Sequence, residues 1–378
     1  MKRILIIILL IYFLPVFNLH SQITDEKIQS GLGFIYHLKY DSANIIFSGF
    51  INSEPANPLG YFGQTLLEWW KINLDFSDQS NDDNFYSKVD KVIEVCDNIL
   101  DKNEHDADAL LFKGGALGYR GLLKAMRESY LKSAEDGKKS LNLLMNVLEL
   151  YPDNKDALFG VGVYNYYADK IPEEKPILKP LTILFPKGDK GKGLLQLKEA
   201  AENSKYSKIE ARNALARIDL NYEQNNSEAE TVSLKLYTDY PENPIFEKYL
   251  ARSYTLNYKF DLALELWKSF VNKFGQSLPG YTSSYSKREG NYYIALCYQR
   301  LGRILEAEPY LSVCEELTKS LDNNDTQIGV YTYLMLGWMY DKKGDRGKAD
   351  YYYDKVISMK DFNNSRKTAE GYKTNRYN

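Results

Sequence analysis

Apolar residues recur at spacings of three and four along nearly all of the chain from Thr24 onward, the period of helices that bury one stripe. The pattern is sharpest between Ala211 and Phe270. There Ala229 and Ala263 stand thirty-four positions apart, and Leu236 and Phe270 repeat the interval. Tyr240-Pro241 closes the first of these blocks, because proline cannot continue a helical hydrogen-bond ladder. Leu250, Ala251 and Tyr254 precede Ala263 at the spacing of a small-residue contact between two antiparallel helices. The expectation is a run of helix pairs, each unable to bury its stripe alone and so stacked on the next.

The same register extends in both directions. Gly31, then Ala43, Phe47 and Phe50, then Pro55 make a first unit; Leu66, Leu67, Trp69 and Trp70 open a second. The polar run 77–84 reads as a loop between that unit's helices. A third unit starts at Asp106 with Ala109, Leu110 and the small cluster 114–116. From Leu122 to Tyr151 no strong breaker occurs apart from Gly137, which predicts helices longer than the repeat consensus. The fourth unit starts at Ala157. It is interrupted between Ile171 and Lys192 by Pro172, Pro176, Pro180 and Pro186, in a proline-rich insertion taken as 169–192. Ile177, Leu178, Leu181, Ile183, Leu184 and Phe185 in that insertion are expected to fold back on the helices, since a long structureless loop is uncommon in a compact array. The second helix is expected to resume at Gly193. Further units fall at 210–243, 244–277, from Arg288, and over Leu336 to Tyr353. Residues 364–378 read as a polar tail or a short cap.

These residues resemble the tetratricopeptide-repeat (TPR) superfamily, over nearly all of the chain beyond its N-terminal segment. The resemblance implies an all-α fold, a right-handed α-solenoid of about eight helix-pair repeats over 22–363, with a binding groove lined by the first helix of each pair. In this register that face carries Phe159, Val163, Tyr166 and Tyr167, then Asn221 and Tyr222, then Lys248 and Arg252, then Tyr292, Gln299 and Arg300, then Trp338 and Lys342. Some family members grip a peptide's terminal carboxylate with a basic-and-Asn clamp. Lys248 and Arg252 resemble its basic half, while its Asn positions are not matched.

Composition narrows the function without naming a partner. A net charge of −3 supplies no basic excess for nucleic acid. With three histidines (His20, His37, His105) and no paired CxxC, neither a histidine-rich metal site nor a recognisable nucleophile motif is expected, and no cofactor. Gly188–Gly193 superficially suggests a phosphate cradle. It lacks the GxxxxGK[ST] spacing and reads as the approach to a helix, with Gly193 in a small-residue slot. Cys96, Cys297 and Cys314 are odd in number; a bridge between Cys297 and Cys314 is conceivable, and free thiols in small apolar slots are the alternative.

Lys2-Arg3, the apolar run from Ile4 to Leu14, Pro15 and a polar stretch to Gln22 predict a signal peptide over 1–21, cut after Ser21; an uncleaved anchor stays open. The product is then exported, and periplasmic or envelope-associated, with peripheral membrane association possible. Together these features predict a non-enzymatic scaffold or adaptor in the cell envelope. It would bind a protein or peptide segment on the groove or on the proline-rich insertion. A small-ligand or envelope-polymer binder closed by the insertion, and an outer-membrane assembly factor, are the alternatives. The pattern fixes no particular partner and no oligomeric state.

Overall fold

The computed structural model describes residues 25–174, 179, 186–276 and 278–377. The expected signal peptide and most of the apolar positions of the proline-rich insertion lie outside the described residues. Among the described residues every regular element is a helix. In chain order these are α1 (25–36), α2 (Tyr40–Ser53), α3 (Pro58–Leu74), α4 (Asp82–Leu100), α5 (Ala107–Met126), α6 (Tyr130–Leu150), α7 (Lys155–Glu174), α8 (Lys190–Asn203) and α9 (Lys208–Ile218). There follow α10 (Asn226–Asp239), α11 (Pro244–Leu256), α12 (Phe260–Lys273), α13 (Ser284–Arg300), α14 (Glu308–Leu321), α15 (Gln327–Lys342), α16 (Arg346–Ser358) and α17 (Ser365–Thr374). None of them is long and apolar enough to cross a membrane.

The chain divides after Leu215 into two compact units. Unit 1 holds the pairs α1/α2, α3/α4, α5/α6 and α7/α8; unit 2 holds α11/α12, α13/α14 and α15/α16, closed by α17. By sequence order α9 and α10 make one further pair, with the unit boundary falling inside α9. Among the described residues the architecture is all-α and built of helix pairs in each unit, as the periodicity predicted.

Close approach within a pair comes from glycine on the first helix meeting a large ring from the second. A methyl group on Gly31 of α1 would stand 2.8 Å from the Phe47 ring of α2, and one on Gly337 of α15 would stand 2.3 Å from the Tyr353 ring of α16. A methyl on Gly63 of α3, in the next pair, would meet the same Phe47 ring at 2.2 Å. Both rings are buried, so the groove that glycine leaves is filled by the neighbour's largest side chain.

First and second helices are joined by a turn that recurs with constant geometry. Its left-handed residue is Leu38, Glu128, Gln224, Tyr258, Gly302 or Gly344, with φ between 52° and 78°. In five of these the next amide donates five positions back, as in Lys259 to the Tyr254 carbonyl at 2.9 Å, which satisfies a terminal carbonyl. Only the last two turns carry glycine. Glu128 explains why the sequence reading ran straight through Leu122 to Tyr151: the chain turns there without a breaker. The helices on either side, at 20 and 21 residues, are still long.

Three further boundaries differ from expectation. The α3–α4 loop is shorter, because α4 begins at Asp82 and Arg127 ties the loop down, donating to Asp82 at 2.6 Å and to the Phe76 carbonyl at 2.7 Å. Helix α7 runs on to Glu174 with Pro172 in its last turn. Helix α8 starts at Lys190 rather than Gly193, because the Asp189 side chain accepts from the Lys192 amide at 2.9 Å. Asp169 accepts from the Lys190 amide at 3.2 Å, so carboxylates already occupy amides that a bound phosphate would need. Gly193 does fill a tight slot, its missing Cβ lying 2.6 Å from the Tyr166 backbone. All three cysteines are buried free thiols, so Cys297 and Cys314 form no bridge. Burial pushes the Cys96, Cys297 and Cys314 thiols up to about 12, about 11 and about 12.

Unit 1 also contains a buried carboxylate. Burial raises the pKa of Asp136, and hydrogen bonds from Arg120 (2.8 and 2.9 Å) and Lys124 (2.6 Å) outweigh that, so it lies below its ordinary 3.8. A depressed folded-state pKa adds stability above the unfolded value that is lost as pH falls through the folded one. The stability gap between wild type and Asp136→Asn, from urea unfolding, is therefore expected to be full at pH 6 and to close as pH drops below 3.8. Gly337→Ala is expected to lower the unfolding free energy by about 1–3 kcal/mol through overpacking. Gly33→Ala, where a methyl would meet nothing within 4 Å, is expected not to lower it in the same urea titrations.

Candidate peptide-binding face

The expected surface residues separate into three groups. In unit 1, Tyr166 is fully buried, edge-on to Tyr167 at 5.1 Å, and is a core residue rather than part of a binding surface. Phe159 and Tyr167 are half-buried on α7. Tyr222 lies half-buried in a short π-helical turn, Asp219–Glu223, in unit 2.

Lys248 and Arg252, expected as half of a carboxylate clamp, are engaged within the fold. Lys248 pairs with Glu289 of α13 at 3.0 Å, and Arg252 donates to Asn221 Oδ1 at 2.8 Å and to the Leu220 carbonyl at 3.4 Å. These contacts hold α11 to its neighbours on either side, and they correct the clamp reading: the two charges already have partners. Arg300 is exposed at the end of α13. Tyr292 packs edge-on against Tyr293 at 5.3 Å; burial, then the neighbouring Tyr293 and Tyr331, raise its phenol above the ordinary range.

Trp338 of α15 is the exception, because it belongs to a built site. The Tyr377 ring stacks on its indole at 5.2 Å and 20°, and Tyr372 meets the same indole edge-on at 5.8 Å. Gln299 of α13 donates from Nε2 to the Tyr377 hydroxyl at 3.1 Å. The Tyr377 backbone amide donates to Asp341 Oδ2 at 3.1 Å. Asp341, whose side chain is 1% exposed, also accepts from Arg346 at 2.9 Å and from the Tyr353 hydroxyl at 2.8 Å. Burial, and then the Asp341 carboxylate, raise the Tyr353 phenol far above its ordinary range, which keeps it a donor. Arg346 completes the set, donating to the Tyr372 carbonyl at 3.0 Å and the Lys373 carbonyl at 2.5 Å.

Side chains from α13, α15 and α16 thus hold the backbone and one aromatic ring of segment 372–377. Position 364–378 reads from sequence as a polar tail or short cap. In the structure 365–374 is helical with Ala369 buried, and 375–377 lies along the first helices. Asp341 and Arg346 escaped the sequence reading because both sit where an ordinary polar turn belongs. Two tyrosines five apart in an otherwise polar stretch were the available signal.

Elsewhere, an open groove of about 520 Å³ in unit 1 is lined by Ser48, Asn52, Tyr61, Gln64 and Lys88, among others. Its polar groups largely bond one another: Gln64 donates to Asn44 and Ser48 at 3.0 Å and accepts from Lys88 at 2.9 Å. Among the described residues no group of three or more His, Cys, Asp or Glu could hold a metal ion.

No family model matches the chain, and no curated protein matches it in sequence. Among solved structures it is similar to a tetratricopeptide repeat protein from Parabacteroides merdae ATCC 43184, with 13% identity over 94% of this chain and 100% of that one, at a TM-score of 0.31. Yeast Tom70 matches at 13% identity over 90% and 86%, with a TM-score of 0.39. Human IFIT1, solved as a dimer with m7Gppp-AAAA, matches at 15% identity over 90% and 78%, with a TM-score of 0.42. The thirty-four-residue spacing, the all-helical pairs and their glycine slots agree with the resemblance to tetratricopeptide repeats.

Asp341→Ala would leave Arg346 without its buried partner. It is expected to lower the unfolding free energy by about 3 kcal/mol, read from urea unfolding.

Proposed function

We propose that the chain is a non-enzymatic helical-repeat scaffold that binds a segment of a partner protein on the α13/α15 face of unit 2. The observation that carries this reading is the use of Asp341 and Arg346. Besides their side-chain partners, this buried carboxylate and its guanidinium direct hydrogen bonds at main-chain groups of one segment, the Tyr377 amide and the Tyr372 and Lys373 carbonyls. Main-chain hydrogen bonds combined with an aromatic slot are how a peptide segment is held with both affinity and register. The apolar run Ile4–Leu14 supports placing this scaffold in the cell envelope, as an exported protein.

The test is site-specific photocrosslinking in intact cells, with the crosslinker at Tyr292 or Arg300 beside the face and, as control, at exposed Glu149 in unit 1. The expected result is one discrete adduct from the face positions, mapping to a single partner segment, and none from Glu149. Equal adducts from all three positions would contradict the face. Recovery of the chain only from the cytoplasm would contradict the export reading.

A further inference from the structure

Segment 375–377 sits on this face as a ligand would. It is extended, it is held through one backbone amide and one ring, and it covers Trp338. Its fit is incomplete: the Trp338 Nε1 donor is buried beneath this region without an acceptor. A buried indole N–H normally finds a partner, so an occupant bringing a carbonyl to Nε1 would make a bond that segment 375–377 leaves unmade. The segment is basic, and acidic groups stand around its approach. Lys373 pairs with Asp354 at 2.5 Å, Arg346 lies between Asp341 and Asp350, and Arg376 is exposed beside Tyr377.

We propose that Gln299, Trp338 and Asp341 form a tyrosine-anchor site, and that residues 375–377 are its removable resident occupant. The partner segment, on the reading above that this face binds peptides, is an extended basic stretch bearing one tyrosine. Its ring stacks on Trp338, its hydroxyl accepts from Gln299, and the amide of that tyrosine donates to Asp341. Binding in trans requires that 375–377 leave, so the site is closed until a competing segment displaces it. A tethered occupant competes at an effective concentration in the millimolar range, which sets how strongly the intact chain resists.

The experiment uses a fluorescein-labelled peptide of residues 371–378 and three proteins: the full chain, the chain ending at Thr374, and full-length Tyr377→Ala. Fluorescence anisotropy is expected to show the peptide binding the shortened chain and Tyr377→Ala at least tenfold more tightly than the full chain. The peptide carrying Tyr377→Phe, which keeps the ring and loses the hydroxyl, is expected to bind the shortened chain several-fold more weakly. Trp338→Ala in the shortened chain should abolish binding. Because that variant removes a large half-buried side chain, Gln299→Ala serves as the second probe, with an unchanged far-UV spectrum and the same several-fold loss as the Phe peptide. Equal binding to the full and shortened chains, or binding to neither, would overturn the tyrosine anchor. In that event a face-specific crosslink at Tyr292 or Arg300 would still leave the broader peptide-binding reading standing.

Discussion

The fold depends on one steric constraint repeated along the chain: a first helix must give up its side chain where the second helix inserts its largest one. Phe47 against Gly31 and Tyr353 against Gly337 are the plainest instances, each ring lying where a methyl group could not. Burying an aromatic ring at such a point closes the pair. It also sets which residues of the first helix remain on the opposite face. Tyr353 shows the consequence for the candidate site. The ring that fills the Gly337 slot is the same one whose hydroxyl reaches Asp341, so the packing of the last pair and the polar centre of the face under segment 375–377 are mechanically one arrangement.

Polar groups inside the two units follow a common logic. Asp136, Glu247 and Asp341 are buried carboxylates with several donors each. Glu247 accepts from Lys273 at 2.7 Å and from the Tyr281 hydroxyl at 2.5 Å, and so fastens the link between α12 and α13. In these three places the desolvation of a charge is offset by charge-assisted hydrogen bonds between neighbouring elements. Asp341 differs from the other two. One of its donors is a backbone amide outside the helix pairs, in a segment that covers the face instead of closing it.

The sequence was most informative where periodicity and small residues speak together. The thirty-four-residue spacing of Ala229 and Ala263, the prolines after second helices and the small residue Gly31 marked the fold before any coordinates. Turns were less legible, because Leu38, Glu128 and Tyr258 adopt the left-handed conformation that usually advertises itself as glycine. The site was partly legible. Trp338 and Gln299 were placed on the first-helix face, yet Lys248 and Arg252 looked like a free clamp, since no periodicity reveals that Glu289 and Asn221 reach them. Asp341, Arg346 and Tyr377 become a site only through contacts between positions up to 78 apart in the chain, which spacing rules do not see.

The most direct measurement is amide hydrogen exchange at Tyr377 in the full chain, resolved residue by residue by NMR. A seated segment, with its amide bonded to buried Asp341 and its ring on Trp338, should show Tyr377 protected at least tenfold over the rate for an unstructured chain. That protection should be lost in Gln299→Ala/Trp338→Ala while the amides of α12 stay protected. Exchange of Tyr377 at the unstructured rate in the unmodified chain would contradict the occupied face.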